Sequence, residues 1–184
     1  MRYSASQKDE TRLRIVETAA REFRAHGYNG IGVADLMKSA GLTHGGFYAH
    51  FDSKDALFAE SISAAFTQTR ESLRKAVAQA PEEGAHAAFV DAYLSERHLQ
   101  HPERGCAMVA LGADVARQGP ETRKAFEAQV EALIGLAESV SAAPAAGRRD
   151  EAIRTVATML GAMLMARATH GSKLAAEVLA AARE

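Results

Sequence analysis

The chain has 184 residues, long enough to bury a core and short enough for one domain, or for a small domain fused to a larger one. It is rich in alanine, has four prolines and no tryptophan, and shows little period-2 alternation of β-branched residues, which argues against an all-β architecture and predicts an all-α protein. The formal charge of −1 argues against a nucleoid-type coat protein that holds DNA by bulk charge, but the charge is uneven: residues 1–54 carry eight Lys/Arg against six Asp/Glu, the remainder fourteen against seventeen.

Residues 1–10 are polar and are expected to form a mobile leader, from which Arg2 and Lys8 are of a type that reaches phosphate. Residues 11–26 are predicted as a helix burying Leu13, Ile15, Val16, Ala19, Ala20 and Phe23, with arginines outward and Gly27 at its C-cap. Val33, Leu36 and Met37 form one apolar stripe of a short helix over 33–40, which Gly41 ends and behind which Leu42 can plug the core. Thr43 is placed to cap a second helix over 43–51, whose buried i, i+4 pair is Phe47 and Phe51. Two short helices joined by a tight turn make a helix-turn-helix, and the second is of the kind that enters the DNA major groove.

The exposed side of that second helix is expected to be Thr43, His44, Gly45, Tyr48 and Ala49. Thr43 and His44 lie at its N-terminus, where side chains reach base edges, and Tyr48 and His50 are suited to phosphate. Gly45 and Gly46 cost a helix about 1 kcal/mol each against Ala, a penalty better explained by close backbone approach to DNA than by stability. Ser53 can cap a long helix over 53–80, carrying Leu57, Phe58, Ile62, Ala65, Phe66, Leu73 and Val77. Lys54 sits at its start, where the helix dipole disfavours a cation, and a phosphate there would explain it.

Breaks at 81–84, 101–105, 118–120 and 141–147 divide the rest into predicted helices over 85–100, 106–117, 121–140 and 150–170, with a last helix capped by Ser172. Phe66, Phe89, Tyr93, Met108, Phe126, Met159 and Met163 read first as core; around a cavity they would suit a lipophilic or aromatic effector. Cys106, the single cysteine, can form no disulfide within its own chain and fits a reducing, cytoplasmic compartment. It follows Pro102 and Gly105 with Arg104 adjacent, so it is expected in the first turn of a helix, where a thiol pKa falls; the alternative is a small buried hydrophobe. His98 and His101 lie three apart, but no ligand motif surrounds them and neither metal nor cofactor is expected. Cys106 with either histidine lacks an orienting third group, so the chain reads as a non-enzyme. No apolar leader stands at the N-terminus, and the most apolar run, 156–166, is too short to span a bilayer.

The run from Gly27 to Phe58 resembles the DNA-binding region of the TetR/AcrR family of bacterial one-component regulators. Gly27-Tyr28, Leu36-Met37, Ala40-Gly41-Leu42, Thr43, Gly45, Phe47-Tyr48, Phe51 and Lys54 carry the match, which covers about the first third of the chain. Gly32 departs from the usual capping Ser or Thr, and His44 from the usual basic residue. The resemblance implies an N-terminal three-helix helix-turn-helix domain (1–54) joined by the long helix to an effector-binding and dimerisation domain (55–184). It implies a double-stranded, palindromic operator contacted by Gly32, Thr43, His44, Gly45, Tyr48, His50 and Lys54. It further implies a homodimer formed through the last two long helices, where Gly161, Ala162, Ala166 and Ala168 would permit close approach, and a repressor released by a small-molecule effector. Phe66, Phe89, Tyr93, Cys106, Met108, Phe126, Met159 and Met163 are the candidate effector contacts. The Gly105-Cys106 pair resembles one branch of the family, some of whose members sense electrophiles, so a thiol-redox or electrophile sensor using Cys106 is the alternative.

Overall fold

The structure is a computed structural model that describes residues 5–184; Arg2 lies outside the described residues. Nine α-helices are present among them and no strand: α1 (Ala5–His26), α2 (Val33–Ser39), α3 (Lys54–Ala78), α4 (Ala85–Tyr93), α5 (Glu96–Gln100), α6 (Ala107–Val115), α7 (Pro120–Val140), α8 (Arg148–Ala168) and α9 (Lys173–Ala181). Helix α3 is the axis of the molecule, packing on α1 at one end and on α4 and α7 further along, while α8 lies between α7 and α9. One continuous apolar core runs from the helix-turn-helix into the body. Phe23 and Phe58 meet edge-on at its upper end, 4.9 Å between centroids, with Tyr28 alongside.

The punctuation follows local chemistry. Gly27 ends α1 with φ +74° and its N–H donates to the Phe23 carbonyl at 2.8 Å. Gly41 turns the chain after α2 with φ +70°, a region costly for side chains with a Cβ. The Ser53 and Ser172 hydroxyls accept from Ala56 N and Ala175 N and start α3 and α9.

Several expectations change. Helix α1 begins at Ala5, so residues 5–10 are helix and Lys8 sits on its first turns. Leu13 is 58% exposed, because the elements beside that turn cover its other flank, where the Arg12 guanidinium lies 4.6 Å over the Phe51 ring and pairs with Glu60. The expected 85–100 helix is two helices, since Ser95 takes an extended conformation and caps α5 through His98 N at 3.3 Å. Ala162 and Ala166, read as positions for close approach of a partner helix, are buried in the chain's own core. The opposite side of α8 carries Ile153, Leu164 and Met165 exposed, with Leu174 of α9 beside them in kind. No helix among the described residues is long and apolar enough to cross a membrane.

Candidate nucleic-acid interface and body cavity

After the Gly41 turn the chain forms a 3-10 helix, His44–Ala49, in place of the expected α-helix over 43–51. Two adjacent glycines and only six residues give the i−4 ladder little to hold it, and the tighter turn takes over. Thr43 holds the N-cap position with its carbonyl alone, accepting from Gly46 N at 3.1 Å; its hydroxyl makes no cap bond, contrary to the sequence reading. Phe47 and Phe51 are buried and stacked 5.8 Å apart, which anchors the segment from beneath. Thr43, His44, Gly45, Tyr48 and Ala49 are thereby left on the outside, with Tyr48 67% exposed and edge-on to His44. Nothing lies within 4 Å of where a Gly45 side chain would begin. Gly32 is exposed too and starts α2, its carbonyl accepting from Leu36 N at 3.0 Å.

His50 and Lys54 sit differently. His50 is half-buried, with Nδ1 enclosed and unbonded, and burial followed by the charges of Lys8 and Arg12 lowers its pKa. It opens on a cleft of about 910 Å³ between the first turns of α1 and the 3-10 helix, to which Lys8 and Arg14 also contribute. Lys8 joins this cleft because α1 extends back to Ala5. Lys54 turns inward: Nζ donates to the Tyr28 carbonyl at 2.6 Å and lies 4.3 Å over the Tyr28 ring, and burial lowers its pKa. The Tyr28 hydroxyl in turn donates to Asp55, and its pKa is pushed up to about 12, first by burial and then by that bond.

In the body, the eight candidate effector contacts separate. Phe66, Phe89, Met159 and Met163 are fully buried core, and Met108 and Phe126 pack half-buried against it. Tyr93 and Cys106 instead line a cavity of about 280 Å³ between α3, α4 and α5, whose other walls include Gln68, Ser72, Leu73, His98 and Arg104. Cys106 is the N-cap residue of α6, outside its first turn, and is wholly buried. Burial therefore raises its thiol pKa, correcting the expectation of a lowered one. The Cys106 N–H donates to His98 Nε2 at 2.8 Å, so the other ring nitrogen carries the proton and donates to the Tyr93 carbonyl at 2.6 Å. Burial, with Arg167 and Arg24 nearby, holds His98 neutral and lowers its pKa to about 4. The Tyr93 hydroxyl lies beside the Cys106 thiol without a bond of ordinary geometry. His101 is exposed and pairs with Glu103.

Two arginines that the sequence did not distinguish from solvated ones complete this region. Arg24 of α1, 4% exposed, donates to the carbonyls of Ala20 and Gly105 and to Gln68 Oε1, and burial lowers its pKa to about 10. Arg167 of α8 donates to the His98 carbonyl at 2.7 Å, and its Nε is buried without a partner. Gly105 accommodates both: a Cβ there would meet the His98 ring at 2.6 Å and run into the Arg167 guanidinium.

The fold and its outward helix-turn-helix surface define a helix-turn-helix protein. The model for bacterial regulatory proteins of the tetR family matches residues 15–61. The uncharacterized HTH-type transcriptional regulator YdgC of Bacillus subtilis is 43% identical over 54 residues, 29% of this chain and 28% of that protein. The HTH-type transcriptional repressor NemR of Escherichia coli is 25% identical over 131 residues, 69% of this chain and 65% of NemR, so the chain matches less than two thirds of the length of either relative. Among solved structures, the reduced form of E. coli NemR superposes with a TM-score of 0.79 at 22% identity, covering 94% of this chain and 95% of that one. A TetR transcriptional regulator from Chloroflexus aurantiacus superposes at 0.81 with 24% identity, covering 97% and 94%. Residues 15–61 thus carry the DNA-binding segment of bacterial regulatory proteins of the tetR family, and the whole chain shares the fold of those solved structures.

Proposed function

We propose that this protein is a homodimeric, cytoplasmic, non-enzymatic transcriptional repressor whose residues 1–54 read DNA and whose residues 55–184 bind an effector and a second copy. The observation that carries the reading is the surface Thr43–Tyr48: held rigidly from below by Phe47 and Phe51, outward-facing, with its hydroxyls and imidazole unspent on the protein's own helix caps. Thr43 and His44 supply base-edge contacts, Tyr48 a phosphate contact, and Gly32 and Gly45 close backbone approach. His50, with Lys8 and Arg14, supplies charge along the adjoining cleft. Lys54 acts on phosphate only after leaving the Tyr28 carbonyl, and otherwise ties the start of α3 to the turn after α1.

The exposed apolar side of α8 and α9 fits a second copy, whose two heads would meet a palindromic, double-stranded operator at a spacing set by the dimer. An effector in the body binds the DNA-free form better, and by linkage DNA weakens the effector by the same factor. Its similarity to a transcriptional repressor of E. coli and to the transcriptional regulator AcrR of Shigella flexneri supports this class.

The test is fluorescence anisotropy on DNA from upstream of the protein's own gene and on scrambled DNA, at one near-physiological salt concentration. Tight binding to the first alone is the expected result; equal, weak binding to both overturns the assignment of the Thr43–Tyr48 surface as a sequence reader.

A second reading is favoured by one observation, that Cys106 lines the body cavity. An electrophile small enough to enter would meet its thiol. Under this reading Cys106→Ser abolishes release of DNA by oxidant or electrophile and spares DNA binding; unchanged release by the variant removes it.

A further inference from the structure

The 280 Å³ body cavity is walled by cations without anions. Arg97 and Arg104 line it, and Arg24 and Arg167 stand immediately behind Gly105 and His98, which form its wall. No Asp or Glu is among its lining residues. The nearest carboxylate influence on the buried pair is Glu103, which is engaged by His101 at 3.4 Å and Arg104 at 3.6 Å. Arg24 donates only to neutral acceptors, and so does Arg167. The cleft is open to water along Arg97, His101 and Arg104, but its floor lies over buried Arg24 and half-buried Arg167, whose positive potential is less screened there.

Two donors there are also unspent. Tyr93 is 1% exposed and its hydroxyl has only the weakly accepting Cys106 thiol beside it, without a bond of ordinary geometry; Arg167 Nε, behind the wall, is enclosed and unpartnered. Buried donors are normally satisfied, and two orphans in one positively charged region need an acceptor, preferably a charged one. Leu73 and Ala92 supply an apolar strip on the same wall.

We propose that this cavity is the effector site and that it takes a small organic acid, a monocarboxylate with a short carbon tail. The proposal rests on the reading of the body as the sensing part, and it replaces the lipophilic effector expected from the sequence with an anionic one. The carboxylate accepts from the Tyr93 hydroxyl in the field of Arg24 and Arg167, and the tail lies on Leu73 and Ala92. Arg24 belongs to α1 of the DNA-reading head, so an anion in the cavity acts on a head residue through its field across the Gly105 wall. It competes with the Gly105 carbonyl for the charge of Arg24 and so alters how α1 seats on the body.

The experiment is isothermal titration calorimetry of the full chain with butyrate and benzoate, and with butyramide and benzamide as neutral isosteres, at ionic strength matched with sodium chloride. At least one acid is expected to bind at least tenfold more tightly than its amide. Tyr93→Phe is expected to weaken that acid at least tenfold. Arg97→Gln, at an exposed position, is expected to weaken it several-fold without changing thermal unfolding, so it serves if Tyr93→Phe folds poorly. Heat from neither acid, equal binding of acid and amide, or no effect of either variant overturns the proposal. The same preparation is assayed for specific DNA binding by anisotropy. Specific DNA binding without acid binding sinks the anion site and leaves the regulator; acid binding without specific DNA binding keeps the site and sinks the regulator.

Discussion

Arg24 Nη1 on α1 donates to the carbonyl of Gly105, 81 residues along the chain, at 2.8 Å. The same guanidinium holds Gln68 of α3 at 3.0 Å, so one side chain joins the DNA-reading head, the central helix and the wall of the body cavity. Its enclosure without a carboxylate is costly, as its lowered pKa records, while its bonds to neutral acceptors return a comparable amount. Arg24→Met is therefore expected to change the unfolding free energy by no more than about 1 kcal/mol. It should nevertheless disconnect effector binding from DNA release. Urea unfolding and anisotropy with and without effector read the two effects separately; a variant that still releases DNA normally shows that Arg24 is not the link.

His98 makes stability depend on pH. Its pKa is lowered to about 4 in the folded chain, against about 6.5 unfolded, so below neutrality the unfolded chain binds the extra proton. Its contribution is complete above about pH 6.5, declines as pH falls toward 4 and levels off below that, a loss on the order of 3 kcal/mol. Burial lowers the His50 pKa as well, which adds a slope of the same sign. His98→Gln can accept the Cys106 N–H without titrating, and should flatten most of this decline in urea unfolding measured from pH 7.5 to 4. An unchanged slope would locate the proton elsewhere.

Gly105→Ala tests the packing beneath the same loop. The added methyl would sit 2.6 Å from one His98 ring atom and 2.7 Å from another, where the ring is fixed by bonds on both nitrogens. Overpacking of this sort costs about 1–3 kcal/mol. The expected signature is a lower urea midpoint at unchanged m-value, and a neutral result would mean that the loop and Arg167 move aside freely.

Most of the head was legible from local pattern. The Phe47–Phe51 pair, the Gly41 turn and the Ser53 cap depend on neighbours within a few residues, and all three stand as read. The errors come from interactions distant in sequence or from balances that pattern does not weigh. Leu13 has the right period but stands on the uncovered flank of a turn whose other flank is covered by Phe51 and Glu60. Arg24 looks like any arginine on an amphipathic helix until residues 68 and 105 are brought to it. Cys106 stands at the N-terminus of its helix, where the Met108 and Val109 N–H groups still favour the thiolate, but complete burial, which local pattern does not show, outweighs them and raises its pKa. Tyr93 was legible as a cavity residue by type, but not the cations around it, which arrive from α1, α5 and α8.

Gly45 separates stability from recognition. A Cβ there meets nothing within 4 Å and the backbone is not left-handed, so Gly45→Ala is expected to leave stability unchanged or raise it by up to about 1 kcal/mol. If the backbone approaches DNA closely at this point, the same methyl should weaken operator binding at least several-fold. Thermal unfolding and anisotropy on one preparation decide it, and a stabilised variant with full DNA affinity would remove Gly45 from the interface.

Leu164 addresses assembly. It is 57% exposed on α8, opposite the buried row Val156, Met159 and Met163, and Ile153 and Met165 stand exposed on the same helix. An apolar stripe of this kind needs cover, and a second copy offers the identical stripe in return. Leu164→Glu loses no core contact of the single chain, so helix content should be kept. Two carboxylates facing each other across the two-fold axis would instead be desolvated together, which is strongly unfavourable. Sedimentation equilibrium should show the parent chain as a dimer and the variant as a monomer, with operator binding weakened because one head alone spans one half-site. A variant that remains dimeric and binds DNA fully would place the subunit contact on another face.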